Sequence, residues 1–136
     1  MMLKVFADTN YWVAMLHRDD QLNKTVVEVT ELIEDAEIVT TESVLIEVLN
    51  YFSGFRAEMK NYVADFVEET LQDEDILVLL HNHDDFLKAL QLYKSRLDKG
   101  YSLTDCVSMN SMREIGISEV LTNDQHFEQE GFTKLF

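Results

Sequence analysis

The sequence predicts an α/β fold in a single domain spanning residues 1–136, with a mostly parallel sheet covered by helices on both faces. Three observations predict it. Short apolar runs alternate with longer amphipathic stretches of helical period. The first run, Leu3 to Ala7, stops on a carboxylate, Asp8, and a helix follows. A later run, Glu119 to Thr122, ends the same way on Asn123-Asp124. Strand, acid and helix in that order is how an open α/β sheet presents chemistry outside the carboxyl ends of its strands.

The elements follow in order. Thr9 and Asn10 offer capping side chains for a short helix from Tyr11 to Leu16, which His17-Arg18-Asp19-Asp20 breaks. A second helix is expected from about Gln21 to Asp35, with Leu22, Val26, Val29 and Ile33 at helical spacing. Glu37 to Thr40 reads as a short strand. Thr41 caps a third helix whose stripe of Val44, Leu45, Val48, Tyr51 and Phe52 ends near Gly54. A fourth helix covers Arg56 to Gln72. Ile76 to Leu80, a continuous apolar run, is expected to be a second buried strand. Phe86, Leu87, Leu90 and Tyr93 mark a fifth helix closed by Lys99-Gly100. Ser102 opens a sixth, with Gly116 as its left-handed stop, and the tail from Phe132 to Phe136 is placed as an edge strand.

Composition narrows the class. The chain is 46% hydrophobic and 27% charged, which is globular rather than disordered. A formal net charge of −15 argues against a protein that coats nucleic acid by bulk electrostatics. It does not exclude one that presents phosphodiesters to cations held by carboxylates, because such ions reverse the local charge. The lone cysteine, Cys106, cannot form an internal disulfide, so a reducing cytoplasm is expected, and it reads as a buried thiol. No apolar run is long enough to suggest a membrane partner.

Four acids carry the chemistry. Asp8 ends the first strand and can equally cap the helix after it. Asp105 completes an S-x-x-D start with Ser102, which capping alone explains. Asp124 can cap the segment after it. Glu47 is different, because it sits inside a helix at the margin of the apolar stripe, where a carboxylate loses hydration and needs a donor, a proton or a cation. Asp8, Asp105 and Asp124 would share one rim of the sheet, where mutual repulsion of clustered carboxylates raises the pKa of at least one. Mg²⁺ or Mn²⁺, hard ions that prefer oxygen, would relieve it and suit phosphodiester hydrolysis.

Asp8-Thr9-Asn10, Glu47, Ser102-Leu103-Thr104-Asp105 and Leu121-Thr122-Asn123-Asp124 with His126-Phe127 resemble the PIN-domain ribonucleases, and within them the prokaryotic VapC-type toxins. The resemblance implies a three-layer α/β/α sandwich. It further implies that Asp8, Glu47, Asp105 and Asp124 bind one or two Mg²⁺ or Mn²⁺ ions, supported by Thr9, Asn10 and Thr104. The activity implied is single-strand-specific endoribonuclease, in a homodimer silenced by a cognate antitoxin. Asn123 and Gln125 flank Asp124 where many relatives carry an apolar residue and an arginine. A PIN-like module that binds protein or RNA without cutting it is the alternative.

Other residues join the expectation. Lys94, Arg96 and Lys99 form a small basic stretch before the Ser102–Asp105 rim and could guide RNA, or simply be solvated. His126, two positions after Asp124, could touch a phosphate or be an ordinary half-exposed histidine. Tyr51, Phe52, Phe55, Tyr62 and Phe66 supply aromatic surface for a dimer or antitoxin groove, or for core. A haloacid-dehalogenase-type phosphoryl transferase fits poorly, since Asn10 stands where its second aspartate belongs.

Overall fold

Both faces of the first strand are buried, and the architecture follows from that. In a computed structural model describing residues 3–136, Val5, Phe6 and Ala7 have no exposed surface. Successive strand residues point to opposite faces, so helices must cover the sheet on both sides, as a three-layer α/β/α sandwich. The elements are β1 (Lys4–Ala7), α1 (Thr9–Leu16), α2 (Asn23–Leu32), β2 (Glu37–Thr41), α3 (Glu42–Tyr51) and α4 (Ala57–Gln72). They continue with β3 (Ile76–Leu79), α5 (His83–Ser95), α6 (Leu103–Ile115), β4 (Glu119–Leu121), α7 (Gln125–Gln129) and β5 (Thr133–Lys134).

All strand pairs are parallel, in the order β3-β2-β1-β4-β5. From β1 the chain builds outward through β2 to β3, then returns to place β4 and β5 on the other side. The order therefore reverses between β1 and β4. At such a switch point the connections leave in opposite directions and open a crevice at the carboxyl ends of the strands. Asp8 and Asp124 follow these two strands.

The core combines sheet and helix residues. Trp12 packs edge-on to Tyr11, with ring centroids 5.0 Å apart, and its indole donates to Thr40 Oγ1 at 3.4 Å. Phe52, Phe127, Met109, Met112 and Cys106 are fully buried, and burial pushes the Cys106 thiol up to about 11, which leaves it an inert packing group. Thr41 caps α3 by accepting from the Val44 amide at 3.0 Å. Gly116 ends α6 at φ +84°, a conformation in which a side chain would be strained. Among the described residues no helix is long and apolar enough to cross a membrane.

Some elements differ from expectation. The apolar run at Ile76 to Leu80 forms β3, but at the sheet edge, with Leu77 40% exposed. An apolar run reports strand character and not which neighbour it will have. Thr9 and Asn10 do not cap α1. Asp8 holds the N-cap position, and the side chains of Thr9 and Asn10 reach across to Glu47 and Asn123. The second helix is shorter than expected at both ends. Of the aromatic set, Phe52 is core, Phe55 and Phe66 are partly buried, and Tyr51 and Tyr62 are exposed.

Glu130 is a tie that the sequence did not advertise. Its buried carboxylate accepts from Arg96 Nε, Arg113 Nη2 and the Tyr101 hydroxyl, each at 2.8 Å. It thereby joins the α5–α6 connection, the end of α6 and the end of α7. These partners hold the Glu130 carboxyl down at about 2, against an ordinary 4.5. A depressed carboxyl contributes stability that is present above pH 4.5 and is lost as pH falls through 2. Glu130→Gln is expected to lower unfolding stability by roughly 1–3 kcal/mol at pH 7, the cost of charge-assisted hydrogen bonds. Urea denaturation at pH 7 and pH 3 checks this, and the deficit should shrink at the lower pH.

Candidate metal centre

Four elements each deliver one carboxylate to the crevice beyond β1 and β4. Asp8 leaves β1 4% exposed, with its amide paired to the Leu121 carbonyl at 3.2 Å. Its side chain makes no capping bond. Asp8 Oδ2 instead accepts from the Thr122 hydroxyl at 3.0 Å. That hydroxyl also accepts from the Asp124 amide at 3.1 Å, so one threonine at the end of β4 sets the spacing of both strand-end acids. Glu47 comes from the middle of α3, and the Thr9 hydroxyl donates to its Oε1.

Asp105 is the third residue of α6 and does close a capping box: Ser102 donates its amide to Oδ2 at 3.0 Å and accepts from the Asp105 amide at 3.0 Å. Asp124 caps α7 through Oδ1, which accepts from the His126 amide at 2.9 Å. The capping reading is thus correct for both residues and does not exhaust them, because each retains a second oxygen. Cap geometry is what aims these two acids.

Asp8, Glu47, Asp105 and Asp124 line one cleft of about 300 Å³, together with Thr9, Asn10, Asp20 and Tyr51. No lysine or arginine lines it. Burial, and then the charges of Asp105 and Glu47, raise Asp8 from 3.8 to about 7, although the Thr122 hydroxyl opposes the shift. Burial also raises Asp105, with Asp124 adding to it, while the Ser102 amide and His126 pull the other way. Repulsion without a resident counter-charge is what a hard divalent cation would relieve. Asn10 adds to the fit: its Nδ2 donates to Asn123 Oδ1 at 2.7 Å, and its buried Oδ1 is left without a partner. The donor set suits Mg²⁺ or Mn²⁺.

The PIN domain family model matches residues 5–132. The chain belongs to the PIN-domain family. The comparison with curated protein sequences returned no match. Among solved structures, this PIN domain superposes on Mycobacterium tuberculosis VapC20, described as a sarcin-ricin loop cleaving toxin. The TM-score is 0.85 at 20% identity, over 96% of this chain and 98% of that one. Rickettsia felis VapBC2, bound to a DNA fragment from its promoter, gives 0.70 at 14% identity, covering 98% of each chain. FitAcB of Neisseria gonorrhoeae gives 0.62 at 16% identity, over 97% of this chain and 96% of that one. The fold of this PIN domain is that of the VapC toxins.

The remaining expected residues are distributed around the centre. Thr104 is half-buried in the first turn of α6. His126 turns Nδ1 toward Asp105 Oδ2 (3.4 Å) and Asp124 Oδ1 (3.3 Å). Lys94 is exposed, Lys99 lies 3.8 Å from Asp98, and Arg96 is engaged by Glu130. Sequence reasoning took Thr122 only as the end of a strand and part of a family pattern, and Asp20 only as part of a helix break, and gave neither a place at the centre. Thr122 had a signal, since it lies two positions before Asp124 at the end of an apolar run. Asp20 had none beyond its charge.

A carboxyl raised in the fold costs stability as pH climbs from its unfolded value of 3.8 through its folded value near 7. Asp8→Asn is therefore expected to raise the metal-free thermal midpoint at pH 7.5 and to flatten its decline between pH 5 and 7.5. Differential scanning calorimetry in EDTA measures both.

Proposed function

We propose that this chain is a divalent-metal-dependent endoribonuclease that hydrolyses phosphodiesters of single-stranded RNA, and that it is the toxin of a toxin–antitoxin pair. The observation that carries the reading is the convergence of Asp8, Glu47, Asp105 and Asp124 from four separate elements on one cleft that no lysine or arginine lines. An acidic pocket of this kind repels RNA until cations fill it. A Mg²⁺ or Mn²⁺ ion bound there would lower the pKa of a water ligand and offset the charge that builds on the phosphate oxygens.

The chain's own residues do the positioning. Thr122 orients Asp8, Thr9 orients Glu47, and the two caps orient Asp105 and Asp124. The likeness to VapC20, VapBC2 and FitAcB supports an antitoxin partner, and a homodimer is part of the same reading. Exposed Tyr51 beside the cleft and exposed Tyr62 on α4 are the side chains that reading offers to a partner. Cytoplasmic placement follows if the target is cellular RNA.

Gly100 sits against the His126 ring, so the connection carrying Lys99 runs along the rim of the centre. Lys94 and Lys99 are the cations we assign to guiding RNA, since Arg96 is spent on Glu130. Purified protein is expected to cleave a mixed single-stranded RNA pool in Mn²⁺. Cleavage should vanish with EDTA and in Asp105→Asn. Reversing Lys94 and Lys99 to glutamate should slow it and weaken its salt dependence. Absence of both RNA cleavage and Mn²⁺ binding would leave the reading of a binding module in its place.

A further inference from the structure

We propose that His126 is a nitrogen ligand of the metal centre, and that Nδ1, with Asp105 and Asp124, makes an end of the site that prefers Mn²⁺ to Mg²⁺. This rests on the metal-nuclease reading above and adds to it a donor outside the acidic quartet. One ligand atom from each of Asp105, Asp124 and His126 lies within 4.8 Å of the others. Nδ1 itself is 3.4 Å from Asp105 Oδ2 and 3.3 Å from Asp124 Oδ1. Donors that share one octahedral ion at about 2.1 Å stand roughly 3 Å apart, which both Nδ1 separations approach. Asp105 Oδ2 and Asp124 Oδ1 each accept one cap amide and keep a lone pair, and each carboxylate has its other oxygen besides.

The ring is aimed by its surroundings. The His126 amide donates to Asp124 Oδ1 at 2.9 Å, so backbone and imidazole of one residue converge on the same carboxylate. On the far side, a Cβ at Gly100 would stand 3.4 Å from Nε2, and the Tyr101 ring packs at a tilt with centroids 5.1 Å apart. Glycine at position 100 leaves room for the imidazole, and Glu130 fixes Tyr101 through its hydroxyl. Nδ1 is buried and has no hydrogen-bond partner among the described residues. A neutral imidazole would hold this nitrogen's lone pair close to both carboxylates, as a shared cation requires.

Asp105 links the two ends of the centre, facing Asp8 on one side and Asp124 with His126 on the other. Mg²⁺ favours oxygen throughout, whereas imidazole suits transition ions, so a nitrogen donor shifts preference toward Mn²⁺. The ring serves the cation on this assignment, and RNA phosphate is met elsewhere.

Electron spin echo envelope modulation on the wild-type protein loaded with Mn²⁺ alone tests this with no substitution and no RNA. A directly coordinated ¹⁴N coupling is expected, and it should disappear in His126→Gln. Calorimetric titration should show Mn²⁺ affinity falling about tenfold or more in His126→Ala, with Mg²⁺ affinity changing much less; ligand-orienting residues alone command losses of that order. Mn²⁺ bound without nitrogen coupling, and with equal affinity in His126→Ala, would overturn the assignment and leave the carboxylate centre standing. Failure of the wild type to bind Mn²⁺ would overturn the metal reading and this proposal together.

Discussion

Mutual repulsion among carboxylates is the constraint on which the rest of this structure depends. Asp8, Glu47, Asp105 and Asp124 face one cleft, and Asp8 is buried deeply enough to sit near neutrality in its protonation. Such a cluster works against folding, since desolvation and like charge both disfavour the ionised state. It persists because each acid is fixed by something that serves the fold. Asp105 and Asp124 close helix starts, Asp8 is paired with Thr122 at the switch point of the sheet, and Glu47 is held by Thr9. The devices that stabilise the elements are the same ones that aim the carboxylates into the cleft.

Sheet topology brings two of the four acids together. With β1 in the middle and β4 beside it, the chain must return across the sheet, and the residues after both strands share one rim. The opposite end of the problem, holding α5, α6 and α7 together next to that rim, falls to Glu130. It collects Arg96, Arg113 and Tyr101 a few residues from His126. Four carboxylates without lysine or arginine neighbours and one with two arginines thus stand in contrast, the first four lining the cleft and the last locking the frame.

Much of this was legible in the sequence, for reasons that differ by residue. Asp8 and Asp124 could be read as a pair because each ends a buried strand of one parallel sheet, although capping alone explains either residue by itself. Glu47 stood out as a carboxylate on a helix where no cap needs one. Asp105 read by itself as a cap, and only its place at a helix start on the same rim as the two strand-end acids, with the family resemblance, drew it into the candidate site. The edge position of β3 was not legible, because Ile76 to Leu80 is apolar whichever strands flank it. Nor was the engagement of Arg96 by Glu130, two residues 34 positions apart whose pairing depends on how the α5–α6 connection folds back. The side chains of Thr9 and Asn10 read as caps because capping is local, while their actual partners, Glu47 and Asn123, are long-range.

The most direct test of the central claim, that this acidic cleft is built for a divalent cation, is the thermal midpoint of the protein at pH 7.5. It should be measured in EDTA, in Mn²⁺, and in sodium chloride matched to the same ionic strength. A ligand that binds only the folded state raises the midpoint by mass action, so Mn²⁺ should stabilise wild type well beyond the sodium control and do little for Asp105→Asn. Equal midpoints in Mn²⁺ and in matched sodium chloride would show that the carboxylates are merely screened, and would contradict the claim.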